Sequence, residues 1–225
     1  MATKIRPRSK KTDASIDLAR DAARERHLKV TGEVVWEWNA LHRTFGYVFM
    51  TLLGDHQSHV PNALWLTPGS DKAQRDLLKT AVEWADGVRE ADRERLVWAL
   101  DQADRLSTYR NDIVHGHPGF LISEKGLTTH LSSGQNSFKR VLKHQKIDTP
   151  FHDLMGALCE DLRRLDHFVA GVWRRMRPID SQKKPSPRRP TIRSLALVDA
   201  GHKRTHVPPI RKAGKSNKKG GAPRK

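Results

Sequence analysis

The chain has 225 residues, 36% of them hydrophobic, and a formal net charge of +17. Residues 1–12 hold five Lys and Arg and no acid, and residues 178–225 hold fourteen against Asp180 and Asp199, so residues 13–177 sum to zero. A neutral middle of about 165 residues is long enough to bury one core. The expected organisation is a basic disordered arm (1–12), one folded domain (13–177) and a basic disordered tail (178–225). The single cysteine, Cys159, excludes an internal disulfide framework and a cysteine-based zinc site, and fits a reducing compartment. No apolar run approaches the length of a membrane span, and MATKIRPRSKK leads into acidic, helical sequence instead of an apolar signal core. A cytoplasmic protein with no membrane partner is expected.

After a helical prelude, DASIDLARDAARERH, the residues Val34, Trp38, Leu41, Phe45, Val48 and Leu52 recur every three or four positions, which is one face of an α-helix. Gly54 and DHQSHVPN read as a polar loop. Ser70 or Asp71 is placed to cap a second helix carrying Leu77, Leu78, Ala81, Val82 and Val88. A third begins near Ala91, presents Leu96, Leu100, Ala103, Leu106 and Ile113, and should stop at His115 or Gly116, because Pro118 disfavours helical geometry at His117. Residues 120–122 and 127–131 change to short β-type runs around a Gly-containing turn, as in a small hairpin. The last helix is expected from Asp148 or Thr149, with Phe151, Leu154, Leu158, Leu162, Leu165, Phe168, Val172 and Met176 as its apolar face and Pro178 as its end. Amphipathic helices joined by short loops must bury their stripes against one another, so the fold class is all-α: a bundle of four to five helices with a small β-hairpin insertion.

The end of the third helix reads YRNDIVHG. An Arg followed five positions later by a His is weak evidence in an Arg-rich chain, but Asn immediately after the Arg makes the pattern more demanding. Arg110, Asn111 and His115 resemble the Arg-Asn-x-x-x-His signature of the HEPN superfamily. That resemblance implies an all-α bundle, often a metal-independent endoribonuclease needing no cofactor, with a composite site in a homodimer. It carries the catalytic assignment to Arg110, Asn111 and His115. The hairpin and the basic tail are not part of the family pattern.

The chemistry makes sense for these residue types. RNA is cut without metal when a base removes the 2′-hydroxyl proton, an acid protonates the leaving 5′-oxygen and a fixed cation stabilises the phosphorane. Imidazole titrates near neutrality and suits the first two roles. A guanidinium stays charged and matches phosphate oxygens with a planar fork. Asn111 lies four residues before His115, nearly on the same helical face, and is placed to orient it or to hold substrate. Positions 110 and 115 lie roughly 140° apart around a regular helix, so a symmetric second copy is one way to bring the two chemistries together. The plainer reading is a solvated Arg110 and a His115 that merely complements a helix C-terminus.

The tail is the expected electrostatic handle for RNA through Lys183, Lys184, Arg188, Arg189, Lys203, Arg204, Arg211, Lys212, Lys215, Lys218 and Lys219, contacting phosphates without sequence choice, since no aromatics are interleaved for stacking. Within it only IRSLALVDA is apolar enough to dock on a partner or on the bundle. A neutralising partner protein is a further expected companion. His56/His59 and His115/His117 lack a third ligand at metal spacing, so no metal site is expected. The six tryptophans, Trp36, Trp38, Trp65, Trp84, Trp98 and Trp173, read as core and interface packing and not as a stacking platform, Glu33 and Glu37 as an exposed helix face, and Cys159 as buried packing.

Overall fold

The computed structural model describes residues 10–54, 59–115, 117–123, 126–132, 151–177 and 185–194. Among the described residues five helices form a bundle: α1 (Lys10–Leu52), α2 (His59–Leu66), α3 (Asp71–Trp84), α4 (Glu90–His115) and α5 (Phe151–Met176). Between α4 and α5, strands β1 (His117–Ser123) and β2 (Gly126–Ser132) pair antiparallel, with His117 opposite Ser132 and Ser123 opposite Gly126.

The prelude and the first amphipathic helix are one 43-residue helix. It takes in Lys10, Lys11 and Thr12, so the arm expected over 1–12 gives up its last three residues to α1; residues 1–9 lie outside the described residues. Val34, Trp38, Leu41, Phe45 and Val48 are buried as the periodicity requires. The loop expected over DHQSHVPN is in part the short helix α2, with Pro61 in its first turn, where a missing backbone N–H is harmless. Ser70 caps α3, its hydroxyl accepting from the Ala73 N–H at 3.2 Å. At the other end of α3, the Arg93 guanidinium donates to the carbonyls of Val82, Glu83 and Ala85, which the helix leaves open. Gly87, at φ 76°, then turns the chain into α4.

Inter-helix contacts fix the arrangement. Helix α5 runs parallel to α1, through Arg163–Glu37 (2.8 Å), Thr44–Asp166 (2.5 Å) and Trp173–Thr51 (2.8 Å). It runs antiparallel to α4, through Arg175–Asp92 and the edge-to-face pair of Trp98 with Phe168. Leu78 and Val82 of α3, Leu96, Leu100, Ala103 and Leu106 of α4, and Leu158, Leu162, Leu165 and Val172 of α5 close the core. Trp38 and Trp65 are buried in it and Trp98 and Trp173 pack on it, while Trp36 and Trp84 are exposed and take no part in this core. Cys159 is buried, and burial, reinforced by Glu33 and Glu37, pushes its thiol up to about 11. Glu37 is an ion-pair partner for Arg163 instead of a merely solvated carboxylate.

Residues 185–191 correct the reading of the tail as disordered, whereas Ile192, Arg193 and Ser194 open IRSLALVDA, the island expected to dock on a partner or on the bundle. Together they lie packed on the bundle. Asp161 of α5, fully buried, accepts the backbone N–H of Arg193 at 3.0 Å and of Ser194 at 2.6 Å; Ile192 packs on the core and the Arg189 guanidinium lies over the Trp98 ring. A buried carboxylate must find donors, and this short segment supplies them. The rest of the tail, with Lys183, Lys184, Lys203, Arg204, Arg211, Lys212, Lys215, Lys218 and Lys219, lies outside the described residues.

Gly46 shows how closely α2 approaches α1: a Cβ there would stand 2.8 Å from Trp65 Nε1 and 3.1 Å from its Cδ1. Gly46→Ala gains about 1 kcal/mol of helix propensity, but displacing the buried indole costs about 1–3 kcal/mol. Urea unfolding should therefore show a net loss of stability; an unchanged or raised midpoint would mean that α2 moves aside freely.

Candidate functional site

The last two turns of α4 bring Arg110 against α1 and α3. Its guanidinium carbon lies 5.5 Å from the centre of the Trp38 ring, and Arg75 of α3 approaches the same ring at 5.2 Å, so one buried indole packs against two cations. Trp38 Nε1 donates to Asp71 Oδ2 at 2.7 Å, and the same oxygen lies 3.8 Å from Arg110 Nη2. Arg110 Nη1 donates to Asn111 Oδ1 at 2.9 Å, while its Nε is buried and without a hydrogen-bond partner. Arg75 is held more tightly, its Nε donating to Asp104 at 2.8 Å and its own exposure only 3%. Ionic capacity is thus spent at Arg75 and partly open at Arg110.

These groups line a cleft of about 690 Å³ formed by Trp38, the start of α3 (Ser70, Asp71, Lys72, Arg75) and the end of α4 (Asp104, Ser107, Thr108, Arg110, Asn111). It is a polar site in which each cation has a carboxylate near it: Lys72 pairs with Asp76 at 2.7 Å, Arg75 with Asp104 at 2.8 Å, and Arg110 more loosely with Asp71 at 3.8 Å. Of the three catalytic candidates, Arg110 and Asn111 line it. His115 does not: it is the exposed last residue of α4, about 7.5 Å further along the helix axis than Arg110. Asn111, expected to orient His115 or to hold substrate, has its side-chain oxygen turned to Arg110.

Sequence reasoning missed His42, Gln74 and Arg75. Arg75 Nη1 must donate, so His42 Nε2, 3.0 Å away, accepts, and the imidazole proton sits on Nδ1, facing Gln74 Oε1 at 3.3 Å. Gln74 also donates to the Trp65 carbonyl at 3.1 Å. The signal was positional: His42 falls between Trp38 and Phe45 on the buried stripe of α1, and Arg75 three residues before Leu78 on that of α3. A polar residue at a core position has to be bonded to something.

Burial lowers His42 to about 4; Arg75 and Arg110 push the same way, against Asp71 and Gln74. The unfolded chain therefore binds a proton at this imidazole that the folded chain refuses between about pH 6.5 and about pH 4. Stability should fall as pH drops through that window, and His42→Gln should flatten the fall. Denaturant unfolding at pH 7, 6, 5 and 4 reads it; identical pH profiles for the two proteins would contradict a buried neutral imidazole.

Among the described residues no group of His, Cys, Asp and Glu is assembled to hold a metal ion, and no helix is long and apolar enough to cross a membrane. His59 lies in α2; His56 and the side chain of His117 lie outside the described residues. Comparison with family models, with curated proteins and with solved structures gives no match.

Proposed function

We propose that the chain is a metal-independent endoribonuclease of HEPN type, acting in the cytoplasm as a homodimer without a cofactor. The observation that carries the reading is Arg110, seated on Trp38 at the wall of a polar cleft with its side chain 18% exposed, on the same helix as an exposed His115. A phosphodiester in the cleft is held by the Arg110 fork, with Asn111 fixing that fork. The His115 imidazole withdraws the 2′-hydroxyl proton, O2′ bonds to phosphorus as the P–O5′ bond breaks, and the imidazolium returns the proton to the 5′-oxygen. The products are a 2′,3′-cyclic phosphate and a 5′-hydroxyl.

His115 lies outside its own chain's cleft, so the active unit takes Arg110 from one copy and His115 from the other, as an isologous dimer permits. A monomeric mass at micromolar concentration, together with full activity, would sink the dimer. Toxin, defence and RNA-processing roles all use this chemistry, the first of them with a neutralising partner protein.

A second reading has its own support. Arg110 already engages Asp71, Asn111 and Trp38, as a purely architectural arginine would, and in that case the chain is a non-catalytic RNA- or nucleotide-binding scaffold. His115→Ala separates the two: it removes cleavage and spares RNA binding in the first, and changes neither measurement in the second.

A further inference from the structure

We propose that the docked segment 185–194 completes a second, prebuilt anion groove that seats the phosphate backbone of RNA on the face formed by α4 and α5. This site needs no catalysis and stands apart from the Arg110 cleft. The segment is fastened at three levels: Pro187 sits on Gly171, where a Cβ would come within 3.2 Å of it, Arg189 lies 5.6 Å from the Trp98 ring centre, and Asp161 binds the backbone at Arg193 and Ser194. Between it and the first turns of α4 runs a groove of about 410 Å³ lined by Glu94, Arg95, Ser186, Pro187, Arg188 and Arg189.

The charge in that groove is one-sided. Three guanidiniums face a single carboxylate. Just beneath, the buried Asp92 is shared by Arg89 (2.6 Å), Arg175 (3.4 Å) and Arg95 (3.6 Å), so its one negative charge cannot neutralise its own neighbours. Guanidiniums match phosphate oxygens with paired donors, and a segment already fastened to the bundle loses less freedom on binding than a free tail would. The Trp98 ring already carries the Arg189 guanidinium, and the groove lining contains no aromatic, so backbone phosphates are read without preference among bases.

The experiment measures binding of the full-length protein to a labelled mixed-sequence single-stranded RNA, in EDTA on ice, over a range of salt. Arg188→Gln/Arg189→Gln should flatten the log–log salt slope by about 1.4 and weaken binding roughly tenfold or more at 0.1 M salt. The charge-matched control, Arg24→Gln/Arg26→Gln on the exposed side of α1, should do neither. Asp161→Ala gives the sharper sign: it raises the net charge, so loose electrostatics predicts tighter binding, whereas undocking the segment predicts weaker binding. If that variant does not fold, Gly171→Leu, which pushes a side chain into Pro187 at constant charge, makes the same test. Equal loss in both arginine pairs, tighter or unchanged binding in the folded undocking variant, or displacement of RNA by polyglutamate better than by unlabelled RNA would each overturn the groove.

Discussion

Arg110→Ala should lower RNA cleavage by about 10²–10³-fold, the usual scale for removing one preorganised group from a developing charge, and His115→Ala by about 10²–10⁴-fold, the usual scale for a proton-transfer residue. Arg110→Lys should not restore the rate, because a point charge replaces neither the planar fork nor the stacking on Trp38. RNA affinity should change little in the His115 variant, since the phosphodiester is held by the Arg110 fork and the imidazole only moves the proton. Mixing the two inactive alanine variants after dissociation and reassociation gives the sharpest form of the prediction. When a site takes Arg110 from one copy and His115 from the other, half the dimers are mixed and one of their two sites is intact, so about a quarter of wild-type activity returns. No recovery, with each wild-type residue active only beside its own chain's partner, would contradict the shared site.

Trp38→Ala should destabilise the fold by about 3–5 kcal/mol, the range for truncating a large buried aromatic, and lower the melting temperature by about 10 °C. Trp38 is 1% exposed and among the largest fully buried side chains. It also contributes the indole N–H to Asp71 and the ring against which Arg75 and Arg110 lie. Truncation therefore leaves a cavity, a carboxylate without its shortest donor and two cations without their platform. Trp38→Phe keeps most of the volume but loses the bond to Asp71, and should fall between wild type and Ala. A loss under about 1 kcal/mol for Trp38→Ala would mean that the Arg75 and Arg110 side chains collapse into the space, and the cleft would lose its rigid wall.

The helices were legible where a stripe and a boundary residue agreed. Ser70 before α3 and the run from Leu96 to Ile113 in α4 follow from spacing alone, and α4 ends at His115, where Pro118 placed its limit. Helix α2 was hidden because His59, Pro61 and Asn62 are loop formers by composition, and only the burial of Trp65 against Gly46 makes a helix worthwhile there. Residues 185–191 were hidden for a related reason, whereas Ile192 opens the apolar island already read as able to dock on the bundle. The Pro and Arg content of 185–191 describes a chain that cannot build a core, yet this segment borrows one, through a buried Asp161 about thirty residues earlier that no local pattern reveals.

At the cleft, the motif pointed to Arg110 and Asn111, but the groups that brace them are scattered over α1 and α3. Trp38 was read as packing, which it is, although its role as a cation platform depends on where α3 and α4 cross α1. His42 and Arg75 each look ordinary in sequence and become informative only as a pair, when a guanidinium is found donating to a buried imidazole. The position of His115 was legible in the opposite sense: a separation of five residues already set it away from Arg110 around the helix, and the cleft lined by Arg110 and Asn111 without it has the same consequence.

The central claim is tested most directly by incubating the full-length protein with end-labelled single-stranded and structured RNAs in EDTA and identifying the product ends. The expected result is EDTA-resistant cutting that leaves 2′,3′-cyclic phosphate and 5′-hydroxyl ends. Folded protein that binds these RNAs but leaves them intact, or that cuts them only when a divalent metal is supplied, would contradict it.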